Sequence, residues 1–488
     1  MTILHIIFPV NLYKKNPYLK GKDIAVIEEK INFTYLDYHK AKLILHRASM
    51  KKYYNSLKST KKKYFEFSYN EKEIINGYDE IEFIYPNDHL IVDKWKKICR
   101  GKKLTILPSI NFLISQEDIK NYKFPYYHDK YFYPYIRQKL NVLMTKDNKP
   151  VGGKYSFDKD NRNTLPKNAL LPTEPKLNNN KYVKEAIEYV EKHFPNNYGS
   201  TKHFIYPIDS TQAKKWLIRF VEERLKLFGK YEDALSKEST FVYHSCLSSS
   251  LNIGIITDKE VLDYVLKHSK NIPLNSLEGY VRQLIGWRNY ILVFYEKDGE
   301  KVRKMNFFKH HLRLSNRWWL GKTQIPIIDL VIKKVEEYSY AHHIERLMIL
   351  GNFMLICEIE PIEVNNWFQS FVAIDSADVF MIPNVLGMSQ HSCGPLMMTK
   401  PYFSSSNYIK KMSNEKIIGT VVLKSGEYDW SVIWDSLYYN FIYKNYDYLR
   451  KNYSTSRQVV HWDKKTHAQK NKILLLAKEY QKFIATDV

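Results

Sequence analysis

The sequence predicts a two-part fold, in which an α/β domain built on a Rossmann-like parallel sheet is followed by an all-helical domain. In the first part, short β-rich runs alternate with segments of helical spacing, which is typical of a parallel sheet wrapped by helices. In the second part, apolar residues recur at helical spacing in each long segment. A stretch rich in Pro and Asn separates the two parts. We therefore expect an α/β domain at residues 1–144, a connector at 145–200 and a helical domain at 201–488.

The α/β domain is expected to alternate strands and helices along the chain. Each expected strand is a short apolar run bounded by turn or charged residues, and each helix has apolar residues three or four positions apart. The first strand-to-helix turn contains no GxGxxG sequence, so the fingerprint of dinucleotide binding is absent. The strands are expected at residues 2–9, 23–28, 80–85 and 104–107, and the helices at 37–56 and 116–121.

Prolines and asparagines mark the connector, which also contains an unusual run of turn and charged residues at 152–162. Beyond the connector, helical spacing dominates and no internal repeat is visible. The helices of the C-terminal domain are expected at residues 213–230, 258–269, 277–295, 327–338, 341–357 and 468–483.

The chain of 488 residues carries a formal net charge of +23 and a pI near 9.4. Clustered Lys and Arg side chains release counterions from a phosphate backbone, so a nucleic acid is the favoured partner. The alternative is a lysine-rich composition without any polyanionic partner, because Lys, Asn, Ile and Tyr are all abundant. Charge alone leaves both interpretations open.

Four cysteines occur, and no two of them have the CxxC spacing of a zinc ribbon or a compact iron–sulfur site. No apolar run reaches the roughly 18 residues of a transmembrane helix, and the N-terminus lacks the pattern of a signal peptide. We therefore expect a soluble, intracellular protein with reduced thiols and no membrane contact. We also expect a monomer.

Two adjacent histidines, His342 and His343, are candidates for proton transfer, because an imidazole titrates near neutral pH. On a helix they would point about 100° apart, so only one of them can face a given pocket. The alternative is a structural role, with one histidine in the core and the other exposed.

Other candidate motifs are weaker on their own. Serine hydroxyls and backbone amides at residues 241–252 could hold a pyrophosphate ahead of a helix, although serine runs are more often turns. Residues 278–288 place apolar side chains around an arginine and a tryptophan, which by itself indicates a core helix. Trp318, Trp319 and Trp367 are expected to be core aromatics unless a redox protein uses them to pass electrons.

These motifs resemble, in order and at similar separations, blocks of the iron–sulfur bacterial cryptochrome and photolyase family, whose repair members are the prokaryotic (6-4) photolyases. The resemblance covers nearly the whole chain and is strongest over residues 274–413. It implies a cryptochrome/photolyase fold, with an α/β antenna domain and a helical domain that binds FAD. The blocks are residues 152–162, 244–252, 278–288, 319–321, 340–348, 351–353, 383–390 and 400–409.

The resemblance also implies roles for individual residues. It places His343 in a lesion pocket, with His342 as its weaker neighbour, and it makes Tyr402 and Tyr408 the tyrosines that face the lesion. Trp319 is expected to pass electrons to the flavin. Trp367 is expected to act in the same relay, and Lys400, Lys410 and Lys411 are expected to contact UV-damaged DNA together with the two tyrosines. The expected cofactor-binding residues are Ser245, Leu247, Ser248, Glu278, Arg282, Trp287, Arg346, Asn352 and Ser389.

The sequence also departs from the family pattern. The positions of the four cluster cysteines hold other residues, the first being Ile327 and the rest falling in the stretches 414–419 and 431–434. Because such side chains cannot replace thiolates as iron ligands, no iron–sulfur cluster is expected. The resemblance places the two carboxylates of the antenna site at Val10 and Asn32, and their replacement makes a ribityllumazine-type antenna doubtful. A tyrosine that often follows the relay tryptophan is Phe368.

The resemblance predicts a light-driven DNA photolyase that uses reduced FAD, acting on (6-4) photoproducts. His343 favours this lesion, because a cyclobutane dimer needs no acid for its repair. The alternatives are a cyclobutane dimer photolyase and an FAD-binding, cryptochrome-like photoreceptor without repair. A basic DNA-binding protein whose flavin site has been lost is a further alternative.

Overall fold

A five-stranded parallel sheet forms the centre of the N-terminal region in the computed structural model, which describes residues 2–413 and 416–488. The strand order is β3-β2-β1-β4-β5, so the direction of winding reverses beside β1. Ile6 in β1 lies opposite Ala25 on one side and Phe83 on the other. The strands are β1 (Ile3–Ile7), β2 (Asp23–Ile27), β3 (Lys62–Phe65), β4 (Glu80–Ile84) and β5 (Lys103–Leu107).

The sequence analysis did not predict β3, which lies at one edge of the sheet. Its residues are Lys-Lys-Tyr-Phe, and none of them is fully buried. Lysines on an edge strand discourage pairing with another chain, but they also interrupt the apolar run that identifies a strand. The central strand β1, by contrast, is almost wholly buried, as is usual in a parallel sheet.

A helix lies in the part of the chain that was expected to be a connector. Lys181–His193 packs against Lys40–Ser56, and Val183, Ala186 and Val190 are buried on its inner face. The Pro- and Asn-rich flanks concealed this spacing, so the sequence analysis did not predict a helix within the connector. The other helices before residue 200 are Lys30–Phe33, Glu71–Ile75, His89–Ile98, Gln116–Asn121, His128–Phe132, Tyr133–Leu140 and Asp158–Asp160.

Helices dominate the region after residue 200. The longest run passes from Leu274–Val281 through Arg282–Trp287 to Arg288–Val302, and its middle segment has wider, π-type turns. The expected helix around the paired histidines begins late, because His342 precedes its first turn and His343 lies within it. The remaining helices are Ser210–Arg219, Phe220–Arg224, Leu225–Phe228, Ser248–Asn252, Asp258–Lys267, Arg317–Leu320, Pro326–Tyr338, Glu345–Gly351, Asn352–Ile356, Pro361–Ser370, Asp378–Met381, Ile382–Ser389, Gly394–Leu396, Ser406–Met412, Trp430–Lys444, Tyr446–Lys451, Ser456–Asp463 and His467–Ile484.

A short antiparallel hairpin interrupts the region that was expected to contain helices only. It consists of β6 (Thr420–Leu423) and β7 (Gly426–Asp429). Val421 and Leu423 are buried while Thr420 and Val422 are exposed, and this period of two favours a strand. Gly426 has φ of +137°, a backbone conformation that glycine adopts without strain at the turn. The C-terminal region is therefore mainly helical and carries a strand pair as well.

No helix within residues 2–413 and 416–488 is both long and apolar enough to cross a membrane. The domain limits expected at residues 144 and 200 stay predictions.

Candidate functional site

Two adjoining cavities, together called the central cavity below, lie among the helices of the C-terminal region. Their volumes are about 270 and 240 Å³, and small-molecule sites typically occupy roughly 300–1,000 Å³. The walls combine apolar side chains with polar groups that converge on the same space. The residues common to both cavities are Ser245, Ser248, Tyr280, Gln283, Arg346, Asp375, Met381 and Asn384.

Asp375 holds the polar side of the central cavity in place. Its carboxylate accepts hydrogen bonds from Ser248 Oγ at 2.6 Å and from Arg346 Nη2 at 2.8 Å. Arg346 also donates through Nε to the carbonyl oxygen of Ala341 at 2.6 Å. Charge-assisted hydrogen bonds are stronger than neutral ones, so this set fixes the guanidinium group. The start of the helix Glu345–Gly351 thereby presents Arg346 at the cavity wall.

His343 lines the central cavity. Its side chain is exposed to the concave space of the cavity, and the surrounding protein atoms desolvate the ring in part. This desolvation, and then the positive charges of Arg346 and Arg282, lower the pKa of His343 to about 4. The imidazole is therefore neutral at pH 7.

His342 lies behind the cavity wall and is 1% exposed. Its ring stacks on that of His244, with 4.9 Å between the centroids, and His244 itself lines the cavity. Neither ring nitrogen of His342 has a hydrogen-bond partner among the described residues. Burial lowers the pKa of both rings well below the ordinary value, so both are neutral. Of the two adjacent histidines, only His343 reaches the cavity wall.

A buried ion cluster centred on Arg282 supports one side of the central cavity. Arg282 Nε lies 3.2 Å from Glu278 Oε1, and Nη1 lies 3.2 Å from Asp158 Oδ1. Glu232, which lines the cavity, lies 3.6 Å from Arg282 Nη2. Burial raises the pKa of Glu232 to about 7 although Arg282 acts to lower it. Glu278 and Arg282 were expected to bind a cofactor, and the structure places them behind the wall.

Tyr402 and Tyr408 lie close to the same ion cluster. Both are half-buried, and burial raises the pKa of Tyr402 to about 12 and also raises the pKa of Tyr408. The charge of Asp158 acts on the pKa of both Tyr402 and His343, so both side chains lie within its electrostatic reach. Arg162, which pairs with Asp158, acts on both tyrosines. The run at 152–162 therefore reaches the site from the connector.

Basic side chains flank the two tyrosines in the chain. Lys400 Nζ lies 5.9 Å from the centre of the Tyr402 ring. Lys410 and Lys411 are exposed in the last turn of the helix Ser406–Met412, which also carries Tyr408. The three lysines expected to contact DNA are thus close in sequence to the tyrosines, and two of them point to solvent.

The expected relay tryptophans do not line the central cavity. Trp367 is fully buried, and its ring centroid lies 5.2 Å from that of Phe368, which is part of the cavity wall. Trp319 is half-buried and lies 5.7 Å from Tyr198. The structure thus places Trp367 one ring behind the wall and Trp319 farther out.

Three other residues expected to bind a cofactor are not part of the cavity walls. Leu247 is a core residue with no exposed surface. Trp287 stacks on His128 with 3.9 Å between ring centroids, and Asn352 Nδ2 donates to Ser404 Oγ at 2.9 Å. These contacts turn each side chain toward a neighbouring element. Among the expected cofactor-binding residues, the cavity walls contain Ser245, Ser248, Arg346 and Ser389.

The sequence analysis missed several polar wall residues. Asp375 lies outside the motifs that the sequence analysis recognised, and Asn384 lies in the block 383–390 but was not named as a site residue. Arg288 closes the run 278–288, and its ion pair with Asp258 spans 2.8 Å between Nε and Oδ1. Such residues become recognisable only when the helices that carry them are brought together.

A separate, much smaller cavity of about 20 Å³ is lined by Asn32, Tyr38, Lys42 and Asp88. A space of this size holds about one water molecule. Asn32 is one of the two positions where the family carries an antenna carboxylate. That the chain binds no ribityllumazine-type antenna stays a prediction, and the antenna position Asn32 lies at this small cavity.

The expected absence of an iron–sulfur cluster also stays a prediction. Within residues 2–413 and 416–488, no three His, Cys, Asp or Glu side chains are grouped so as to hold a metal ion. Ile327, at the first cluster position, is a buried core residue. Asn414 and Glu415, which begin the stretch of the later cluster positions, lie outside the described residues.

Comparisons with known proteins agree with this arrangement. The family described as deoxyribodipyrimidine photo-lyase-related protein matches residues 5–206. A (6-4) photolyase from Agrobacterium fabrum is 35% identical over 335 residues, which are 68% of this chain and 66% of that protein. The chain therefore spans just under two thirds of that relative's length.

Two solved structures share the fold. A class III photolyase from Agrobacterium tumefaciens superposes with a TM-score of 0.57 at 14% identity, over 99% of this chain and 98% of that one. A cryptochrome from Synechocystis also gives 0.57, at 12% identity, over 84% of this chain and 88% of that one. At such identities the likeness shows the fold, which is that of cryptochromes and photolyases. With the sequence matches, it relates the chain to the photolyase-related family as a divergent relative.

Proposed function

We propose that this chain is a light-driven DNA photolyase that uses reduced FAD to reverse (6-4) photoproducts in UV-damaged DNA. The observation that carries the proposal is the position of His343, in the wall of the central cavity and within electrostatic reach of the same carboxylate as Tyr402. The relative at 35% identity is described as a (6-4) photolyase, which supports the same lesion.

The central cavity suits FAD because its polar wall can hold a diphosphate. Ser245 and Ser248 offer hydroxyl groups, and Arg346 and Arg288 offer positive charge. Arg288 Nη2 is buried and has no hydrogen-bond partner among the described residues, so this donor is available to an anion. We propose that these four residues hold the diphosphate. When bound, reduced FAD supplies the light-driven electron for the lesion.

His343 is proposed to hold and deliver the proton that a (6-4) rearrangement needs. Desolvation, and then the positive charges of Arg346 and Arg282, lower its pKa to about 4. Phosphates of a bound cofactor and of DNA bring negative charge, and an opposite charge raises the pKa of an imidazole. Glu232 in the same wall, with a pKa of about 7, can exchange protons with the cavity at neutral pH.

The residues around the cavity suit a nucleotide extruded from the duplex. Tyr402 and Tyr408 offer aromatic faces on which bases can stack. Lys400, Lys410 and Lys411 offer positive charge to phosphates on either side. Extrusion costs least at a lesion that is already unstacked, and this difference gives selectivity for damaged sites.

The test is repair of two oligonucleotides side by side, one with a (6-4) photoproduct and one with a cyclobutane dimer, under blue light and in the dark. We expect light-dependent repair of the (6-4) product. Repair of the dimer alone would assign the other lesion. Repair of neither by a flavin-containing protein would favour a photoreceptor, and a protein that cannot take up FAD would favour plain DNA binding.

The same preparation should release FAD on denaturation and contain no stoichiometric iron. We propose the absence of a cluster because the cysteines that would ligate it are replaced, the first of them by Ile327. Iron at several atoms per chain in a metal analysis would contradict this part of the proposal.

A further inference from the structure

A row of aromatic rings leads from the central cavity to the protein surface. Phe368 stands in the cavity wall, and its ring centroid lies 5.2 Å from that of Trp367. Trp367 lies 5.4 Å from Phe371, and Phe371 lies 5.9 Å from Tyr198. Tyr198 stacks on Trp319 at 5.7 Å, with 28° between the ring planes. Trp367 is fully buried whereas Tyr198 is 37% exposed, so the row passes from the interior to solvent.

Backbone contacts hold Tyr198 in this row. Its carbonyl oxygen accepts a hydrogen bond from Lys40 N at 2.9 Å. The next residue, Gly199, has φ of +91°, and a Cβ at this position would lie 2.0 Å from Nε2 of His39. Only glycine permits so close an approach in that conformation. The connector is therefore fixed against the start of a helix, with Tyr198 stacked on Trp319.

Phenylalanine is much harder to oxidise than tryptophan or tyrosine, so Trp367, Tyr198 and Trp319 are the members of the row that can carry an electron hole. We propose that Tyr198 is the terminal electron donor of this row, where a hole formed at Trp367 ends as a neutral tyrosyl radical. The inference rests on the proposed function for its oxidant, the flavin bound in the cavity. The family resemblance assigns a role to the two tryptophans but none to Tyr198.

The electron and the proton of Tyr198 go to different places. The phenol gives up one electron, which fills the hole on the oxidised tryptophan of the row and restores its neutral indole. Its O–H bond breaks, and the proton passes to solvent water, which reaches this half-exposed ring. Burial, and then the charges of Asp37 and Asp487, raise the pKa of Tyr198, so the phenol is protonated before it is oxidised.

Pulse radiolysis tests the inference without any cofactor. Azide radicals oxidise exposed tryptophans first, and transfer within the protein then appears as decay of indolyl absorption with growth of tyrosyl absorption. Trp319→Phe should lose part of this conversion from indolyl to tyrosyl radical. We expect Tyr198→Phe to lose the same part. Tyr35→Phe is the matched control, because Tyr35 is 55% exposed and is not a member of the row. Tyr35→Phe should show the same conversion as the wild type. Full conversion in Tyr198→Phe would overturn the inference.

Blue light on the flavin-loaded protein gives the second measurement, by electron paramagnetic resonance. We expect a tyrosyl signal in the wild type and its loss in both Tyr198→Phe and Trp367→Phe. A preparation that binds no flavin gives no light signal and sinks the proposed function, while the radiolysis result still decides the role of Tyr198. A flavin-loaded Tyr198→Phe protein with an undiminished tyrosyl signal would show that another tyrosine is the donor.

Discussion

At the scale of single residues, the two adjacent histidines lie in different environments although they are neighbours in the chain. His343 faces the central cavity, whereas His342 stacks on His244 behind the wall. The nearest carboxylate oxygen, on Glu345, lies 3.6 Å from Nε2 of His342, and burial keeps the pKa of this ring far below its ordinary value. An enclosed neutral ring contributes packing, while a ring that faces the cavity can exchange protons with a ligand.

Replacing His343 with Ala should leave FAD binding and DNA affinity nearly unchanged, because one imidazole at a cavity wall contributes little to either. Repair of a (6-4) product should fall by about 10²–10⁴-fold, the usual contribution of general acid catalysis. The measurement is single-turnover repair under saturating light, with FAD content determined on the same samples.

His203→Ala is the matched control for this substitution. His203 is a half-exposed histidine that pairs with Glu337 at 3.4 Å, and it is not part of the central cavity wall. The repair rate of the His203→Ala protein should equal that of the wild type. Undiminished (6-4) repair by His343→Ala would remove His343 from the chemistry. Cyclobutane repair that survives the same change would show that the lesion is the other one.

Some residues of the site lie in a recognisable sequence motif, and others do not. Ser248 and Arg346 stand in motifs that resemble a known family, so they could be predicted. Asp375 binds both of them, yet no pattern in its own segment points to this role. Its function arises from the approach of helices that are distant in the chain. Glu278 shows the converse, since its motif was recognised while its carboxylate lies beside Arg282 behind the wall.

At the scale of helices and strands, spacing predicts an element well where one face is buried. The helices expected at 258–269 and 468–483 are Asp258–Lys267 and His467–Ile484 in the structure. Edge strand β3 was missed because lysines break its apolar run. Periodicity reports burial, so elements that are weakly buried or have misleading flanks give little signal.

The helix Lys40–Ser56 begins at a histidine that must stay neutral. His39 Nδ1 accepts a hydrogen bond from Ala41 N at 3.0 Å, and Nε2 donates to the carbonyl oxygen of Glu336 at 3.0 Å. Desolvation lowers the pKa of His39 to about 4. The unfolded chain therefore binds a proton near pH 6.5 that the folded chain does not yet bind, so folding loses free energy as pH falls from that point toward 4.

We expect this histidine to contribute about 3 kcal/mol of pH-dependent stability, the free energy of a pKa shift of this size. His39→Asn keeps a good cap acceptor without a titrating ring, although it lowers stability at pH 7 by removing the bond to Glu336. The advantage of wild type over His39→Asn should shrink between pH 7 and pH 4 in urea unfolding. Parallel stability curves for the two proteins would contradict the cap assignment.

At the scale of the whole molecule, the central cavity and the residues around it come from widely separated parts of one chain. The connector contributes Asp158, which acts on the pKa of His343, and it contributes Tyr198 at its far end. The net charge of +23 is spread over the whole sequence, so composition alone could not say where a polyanion would bind. Only the fold brings Tyr402 close to the ion cluster beside the cavity.

DNA binding should depend steeply on salt, because each phosphate contact releases a condensed counterion. Changing Lys410 and Lys411 together to Ala should reduce the slope of log affinity against log salt by about 2 and weaken damaged and undamaged DNA alike. The measurement is a titration of both DNAs at several salt concentrations. Lys58→Ala with Lys61→Ala is the matched control, because these lysines carry the same charge in the loop before β3 and should leave the slope nearly unchanged. Equal losses from the two double variants would mean that affinity follows total charge, and that the surface beside Tyr408 has no special part in it.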